Sequence, residues 1–274
     1  MRVVCAGLAT RDTIWRVPEH PAPDGRVVAT DRVVAGGGPA ATAAVTLARL
    51  GVAVSFAGAV GDDDAGAFVR DGLAAEGVDV SLLTVVRGAR TPESTVLVGP
   101  DGARSIVHRA GTASFPDVDL EADWAHVDHV GYGSVRRGGA TTVSLDAGIA
   151  IEALDLRGIA VYVPTEERLH ADYGTAERAL DAGAEIVIVT RGAAGCVATT
   201  RIGVVEAPGV LCAGLVSTLG AGDVFHGALV AALVQGSPLP AALRVANTAA
   251  SLSCRALDGR SAIPRADELQ RSLT

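Results

Sequence analysis

The chain has 274 residues, with 23 basic and 31 acidic side chains and a formal charge of −8; every basic residue is arginine, because no lysine occurs. That absence excludes a Walker-type phosphate loop and a Schiff-base mechanism, which both need the lysine amine, and the acidic balance argues against the basic stripe that grips a nucleic-acid backbone. Hydrophobic residues make up 49% of the chain and aromatics only 3%, so the core must be aliphatic side chains packed between layers, an arrangement suited to helices on a sheet.

The chain opens MRVVCAGLA. This apolar run is short and passes directly into Thr10, Arg11 and Asp12, so it reads as a buried first strand over 3–8 rather than a secretory leader. No apolar run reaches the roughly 18 residues needed to span a bilayer, and the expectation is a soluble, cytoplasmic protein. Cys5, Cys196, Cys212 and Cys254 are widely spaced, without a Cys-x-x-Cys pair, and read as reduced and structural.

Residues 26–35 form an extended segment that ends at Gly36-Gly37-Gly38. A helix follows over 40–50, stopped by Gly51, then a strand over 52–57, a helix over 64–76 closed by Gly77, and extended chain over 78–83. This alternation predicts a parallel sheet with helices on both faces. Residues 94–98 and 104–108 flank the turn Pro100-Asp101-Gly102 and read as a β-hairpin. Strands over 127–131 and 142–145 leave little chain for a helical crossover between them. Either the crossover helix is missing there or the two strands are not parallel neighbours. A strand over 184–190, a turn over 192–195, a strand over 196–200 and apolar helices over 221–235 and 240–256 complete the pattern.

The most informative segment is Ser217-Thr218-Leu219-Gly220-Ala221-Gly222-Asp223-Val224-Phe225-His226-Gly227, a small-residue turn that opens a long apolar helix. Gly220 and Gly222 permit a tight turn whose amide N–H groups, with the helix dipole, converge on one spot and can hold an anion. Asp223, in the first helical turn, can accept a proton from an attacking hydroxyl beside that spot. The same residues also make an ordinary helix N-terminus with an acidic first turn, and His226 reads as a buried histidine without chemistry.

Four segments, in order, resemble the ribokinase-like, or pfkB-type, carbohydrate kinase family over nearly the whole chain. Gly7 with Asp12, followed by Pro21-x-Pro23-x-Gly25, resembles the first strand, the sugar-binding aspartate and its turn. Gly36-Gly37-Gly38-Pro39-Ala40-Ala41-Thr42-Ala43, with Leu47-Ala48-Arg49-Leu50-Gly51, Gly58 and Gly61-Asp62-Asp63, resembles the first signature. Thr190-Arg191-Gly192-Ala193-Ala194-Gly195 resembles the nucleotide-side turn, and Gly220-Ala221-Gly222-Asp223 with Phe225 the second signature. Within the family the motifs are most similar to bacterial sulfofructose kinases and less so to ketohexokinases.

The resemblance implies an α/β fold, a parallel-rich sheet with helices on both faces and a small β lid from roughly 10–35 and 90–110, in one kinase domain over 1–274. It also implies ATP, Mg²⁺ and transfer of the γ-phosphoryl group to a hydroxyl of a sugar or sugar-like substrate, with a homodimer formed through the lid. Asp223 would be the base and Gly220, Ala221 and Gly222 the anion hole. Asp12, Gly36, Gly37 and Ala41 would face the substrate, where many family members carry Asn in place of Ala41. Thr190, Gly192, Gly195, Asn247 and Ala250 would border the nucleotide. The Asn-x-x-Glu segment that places Mg²⁺ is degenerate here, Pro164-Thr165-Glu166-Glu167-Arg168, with Glu166 as its candidate. An anionic end on the substrate could meet His108 and Arg109, or Arg136 or Arg137.

Three alternatives stand beside this reading: a nucleoside kinase of the same fold, a member that binds sugar or nucleotide without turnover, and a nicotinamide-dependent dehydrogenase. The last rests on Gly36-x-Gly38-x-x-Ala41, a weak match because the first strand ends instead at Gly7-Leu8-Ala9.

Overall fold

Short apolar runs separated by helices assemble into a nine-stranded central sheet in the computed structural model, which describes residues 1–115, 122–134 and 142–273. Elements are numbered in chain order. The central sheet contains β1 (Val3–Ala6), β4 (Val54–Gly61), β5 (Leu83–Val86), β8 (Trp124–Val127), β9 (Thr142–Ala147), β10 (Val161–Pro164), β11 (Ile186–Thr190), β12 (Cys196–Thr200) and β13 (Gly203–Ala207). Their spatial order is β13-β12-β11-β10-β9-β8-β1-β4-β5. Pairing is parallel from β11 through to β5, and the β11–β12 and β12–β13 pairs are antiparallel, so β12 alone runs against the other strands.

β1 and β10 are buried at every position, as expected for parallel strands covered on both faces. Their alternating side chains enter two cores. Val3 and Cys5 pack with α1 (Pro39–Arg49), α2 (Asp64–Ala75) and α5 (Ala221–Val234). Val4 and Ala6 pack instead in the cluster that holds Leu169 of α3 (Glu166–Asp172) and Ala179 and Leu180 of α4 (Ala176–Asp181). α6 (Leu239–Ser253) lies against α5 and β13, and α7 (Ala266–Leu273) closes the chain. No helix of the described residues is long and apolar enough to cross a membrane.

A second, four-stranded sheet of order β3-β2-β6-β7 combines β2 (Thr10–Arg16), β3 (Asp31–Gly37), β6 (Glu93–Val98) and β7 (Arg104–Arg109). The hairpin expected around Pro100-Asp101-Gly102 is present as the antiparallel β6–β7 pair. The extended segment expected from residue 26 begins only at Asp31, and the strand expected over 78–83 begins at Leu83, after a lone bridge between Ser55 and Asp79. The strand expected over 127–131 lies earlier in the chain, as β8, and the ambiguity resolves in favour of parallel neighbours, since β8 and β9 pair in parallel. Between them the short turn Tyr132–Ser134 is described, whereas Arg136 and Arg137 lie outside the described residues.

Candidate active site

The two sheets meet over a cleft of about 570 Å³, lined on one side by Asp12, Gly36, Gly37, Arg104 and His108 and on the other by Thr190, Gly220, Gly222 and Asp223. Its floor is the start of α5. Gly220 caps the helix in the left-handed region at φ 74°, which needs glycine. The Ala221 N–H turns back to the Thr218 carbonyl at 3.3 Å. The first complete helical bond is Val224 N–H to Gly220 O at 2.9 Å, so the N–H groups of Gly222 and Asp223 lie ahead of it, aimed outward and available to an anion.

Burial pushes the Asp223 carboxyl well above its ordinary range, and the nearby negative charge of Asp146 pushes in the same direction; the cations Arg104 and Arg260 oppose them. A carboxylate raised in this way is a better proton acceptor than a solvated one, which suits a general base.

Strand alternation puts Thr10, Asp12 and Ile14 of β2 on the cleft side of the lid. Asp12 is raised by burial, against the neighbouring hydroxyls of Thr10 and Ser94 and the Arg260 charge. Among the described residues Asp12 Oδ1 has no hydrogen-bond partner, and a buried polar atom left open beside a cleft is a ready receptor for a ligand hydroxyl. A β-carbon at Gly37 would overlap the Asp12 carboxylate, so that glycine makes room for the aspartate. His108 Nδ1 is 3.2 Å from Ser94 Oγ and faces the cleft, whereas Arg109 is exposed and paired to Glu93 at 3.6 Å. Ala41 faces the core between α1 and the sheet rather than the cleft.

At the far end, Thr190 borders the cleft and donates to the Pro164 carbonyl at 3.4 Å. Gly192 and Gly195 bracket the 3-10 turn between β11 and β12. Asn247 spends its amide on the carbonyls of Ala207 (3.1 Å) and Pro208 (3.0 Å), so it ties α6 to the end of β13. Ala250 packs against the same cluster. Glu166, in the first turn of α3, is solvent-exposed at the rim and paired to Arg191 at 3.6 Å. An open carboxylate of this kind fits Mg²⁺, which keeps most of its waters and takes few protein ligands.

A scan against family models matches residues 1–154 and 162–266 to the pfkB family carbohydrate kinases. The chain belongs to that family. The ATP-dependent ribose-1-phosphate kinase of Halopiger xanaduensis is 30% identical over 300 aligned positions, covering 100% of this chain and 98% of that protein. The ribokinase of Haemophilus influenzae is 27% identical, over 96% and 95% of the two chains. A solved structure from Agrobacterium tumefaciens superimposes with a TM-score of 0.86 at 29% identity, over 99% and 97% of the two chains. Arabidopsis thaliana ribokinase complexed with ribose and ATP superimposes at 0.81 with 23% identity, over 100% and 98%. The fold is therefore ribokinase-like, and the protein is a carbohydrate kinase. The dehydrogenase alternative falls: Gly36 and Gly37 end a lid strand, β3, instead of following the first strand of the parallel sheet.

Three side chains of this pfkB kinase had no signal in the sequence. Arg260, buried beneath the lid, donates to Gly37 O (2.7 Å) and Thr42 Oγ1 (3.1 Å), and burial lowers its pKa to about 10 even though Asp12 and Asp223 pull upward. Asp128, at the end of β8, accepts from the N–H groups of Leu8, Ala40, Val130 and Gly131 and so fixes the entry to α1. Asp146, at the end of β9, lines the cleft beside His226, whose Nδ1 has no hydrogen-bond partner among the described residues. None of the three lies in a motif with a distinctive spacing; the crossing of the chain assembles them.

Proposed function

We propose that the protein is an ATP-dependent kinase that phosphorylates a hydroxyl of a sugar carrying an anionic group, a phosphate or a sulfonate. One observation carries this reading: a single cleft holds the raised carboxylate of Asp223 beside outward-facing amides, and the cation Arg104 lines the same cleft on its lid side. The likeness to a ribose-1-phosphate kinase supports the phosphate arm; the sulfonate arm has only the resemblance of the sequence motifs behind it.

The sugar would lie between Asp12 and Asp223, its hydroxyls meeting the open Asp12 Oδ1 and the backbone at Gly36 and Gly37. Asp223 takes the proton of the attacking hydroxyl as the oxygen bonds to the γ-phosphorus and ADP leaves, and the N–H groups of Gly222 and Asp223 stabilise charge on the moving phosphoryl group. Thr190 with the turn at Gly192–Ala194 would border the nucleotide. Mg²⁺, held through water by Glu166 and by the phosphates, would supply charge neutralisation at the transferring group.

The test is ADP release with ATP and Mg²⁺ over ribose 1-phosphate, sulfofructose, ribose, fructose and nucleosides, compared as kcat/KM. An anionic sugar should exceed its neutral counterpart by about 10-fold or more, the value of one charge-assisted hydrogen bond. A nucleoside in first place would make this a nucleoside kinase, and binding without turnover would make it a binding protein.

A further inference from the structure

Behind the base, between the central sheet and α5, three side chains from separate elements converge: His126 of β8, Asp146 of β9 and His226 of α5. All three are buried, and one donor atom from each lies within 4.8 Å of the others. His226 Nδ1 is 3.3 Å from Asp146 Oδ2, and the two imidazole rings meet edge-on at 5.7 Å. Among the described residues His126 Nε2 and His226 Nδ1 have no hydrogen-bond partner, although His126 is 0% and His226 4% exposed. Two unpaired ring nitrogens in one buried pocket are costly unless something accepts their lone pairs.

Two of the three side chains are held from the opposite atom, as ligands of a metal are. His126 Nδ1 is 3.3 Å from Ser144 Oγ, its register partner across the β8–β9 pair, which leaves Nε2 facing the cluster. Asp146 Oδ1 accepts from Gly148 N–H at 2.9 Å, which leaves Oδ2 free. Partners on the opposite atom orient metal ligands in just this manner. Tetrahedral coordination at about 2.0–2.1 Å puts donor atoms about 3.4 Å apart, and the His226–Asp146 pair already has that spacing.

The geometry points to a site for a borderline divalent ion of the Zn²⁺ type, bound by His126 Nε2, Asp146 Oδ2 and His226 Nδ1. Two imidazoles and one carboxylate suit Zn²⁺ or Co²⁺ and disfavour Mg²⁺, which takes oxygen ligands, so this site is separate from that of the nucleotide-bound ion. Asp146 and His226 also line the cleft, so the fourth coordination position opens toward it.

Co²⁺ serves as the probe because its visible absorption reports its ligands. The full chain, stripped with chelator, should take up one equivalent of Co²⁺ with the spectrum of a nitrogen and oxygen site, and one equivalent of Zn²⁺ should displace it. His126→Gln and His226→Gln should each weaken Zn²⁺ binding by roughly 100-fold or more, since losing even a partner that only orients a ligand costs about 10–100-fold, with melting curves recorded alongside. Absence of Co²⁺ uptake at micromolar concentration, a thiolate-to-cobalt band that places the ion on cysteine, or undiminished affinity in a folded variant would each overturn the assignment. Should a variant fail to fold, the spectrum of the unaltered protein decides alone.

Discussion

Gly220 and Gly259 stand face to face, so close that a β-carbon on Gly220 would lie 2.9 Å from the Gly259 Cα. Gly220 also holds a φ of 74°, so both space and conformation exclude a side chain at the cap of α5. Gly220→Ala should therefore cost roughly 1–2 kcal/mol in conformation, with a further cost from displacing the 259 segment. The displacement moves the N–H groups that face the cleft. We expect kcat to fall by about 100-fold, as when one donor to a transition-state oxyanion is lost, with a melting temperature lower by a few degrees. Steady-state kinetics and a thermal melt on the same preparation check both.

Asp223→Asn should retain sugar and ATP binding and lose turnover by at least about 100-fold, the smaller end of what a positioned base contributes. The pH dependence has a definite sign. The folded pKa of Asp223 is raised above its unfolded value, so its stabilising contribution is present below about pH 4 and is lost as pH rises through the folded pKa. Above the ordinary carboxylate range the unfolded chain ionises first, so this group costs the fold stability as pH rises. The asparagine variant should therefore be more resistant to urea than the parent at neutral pH, with the gap closing on acidification. The parent's kcat/KM should show an acidic limb above the ordinary carboxylate range; a limb at the ordinary value would contradict the raised pKa.

The parts of this molecule legible in the sequence are those with local causes. The strand-helix alternation, the hairpin about Pro100-Asp101-Gly102 and the glycine-rich entry to α5 each follow from short-range propensity and turn chemistry, and each is present. Asp12 is placed at the substrate by the family resemblance alone, and the strand β2 that turns it into the cleft has no such local cue. The residues that escaped reading depend on chain crossings. Arg260 reaches Gly37 and Thr42 from more than two hundred positions away, and His126, Asp146 and His226 meet only because β8, β9 and α5 are stacked. Asn247, which the resemblance places at the nucleotide, donates to the Ala207 and Pro208 carbonyls, a pairing that no helical periodicity reveals.

Asp128 offers a test of how the cleft is supported. Its carboxylate accepts four backbone N–H groups, from Leu8 (2.8 Å), Ala40 (3.2 Å), Val130 (2.8 Å) and Gly131 (3.0 Å), and joins the ends of β1 and β8 to the start of α1. Each buried donor left without an acceptor costs about 1–3 kcal/mol. Asp128→Ala should therefore lower stability by about 3 kcal/mol or more in urea unfolding. Asp128→Asn, which keeps one acceptor oxygen and sheds a buried charge, should fall between the two. Equal stability of the alanine variant and the parent would remove the carboxylate from this role.

Arg104 separates recognition of the substrate's charge from the chemistry at Asp223. It projects from the lid strand β7 into the cleft and donates from Nη1 to Thr218 Oγ1 at 3.0 Å, two residues before the cap of α5. If it binds the anionic end of the sugar, Arg104→Gln should raise KM for an anionic sugar by about 10-fold, the value of one hydrogen bond to a charged group. KM for the matching neutral sugar should stay unchanged. Its cation also holds the Asp223 pKa down, so its removal should move the acidic limb of kcat/KM to higher pH. Because Arg104 is exposed, both effects should weaken as salt is added. An equal rise in KM for charged and neutral sugars would mean that Arg104 braces the lid against Thr218 and does not read charge.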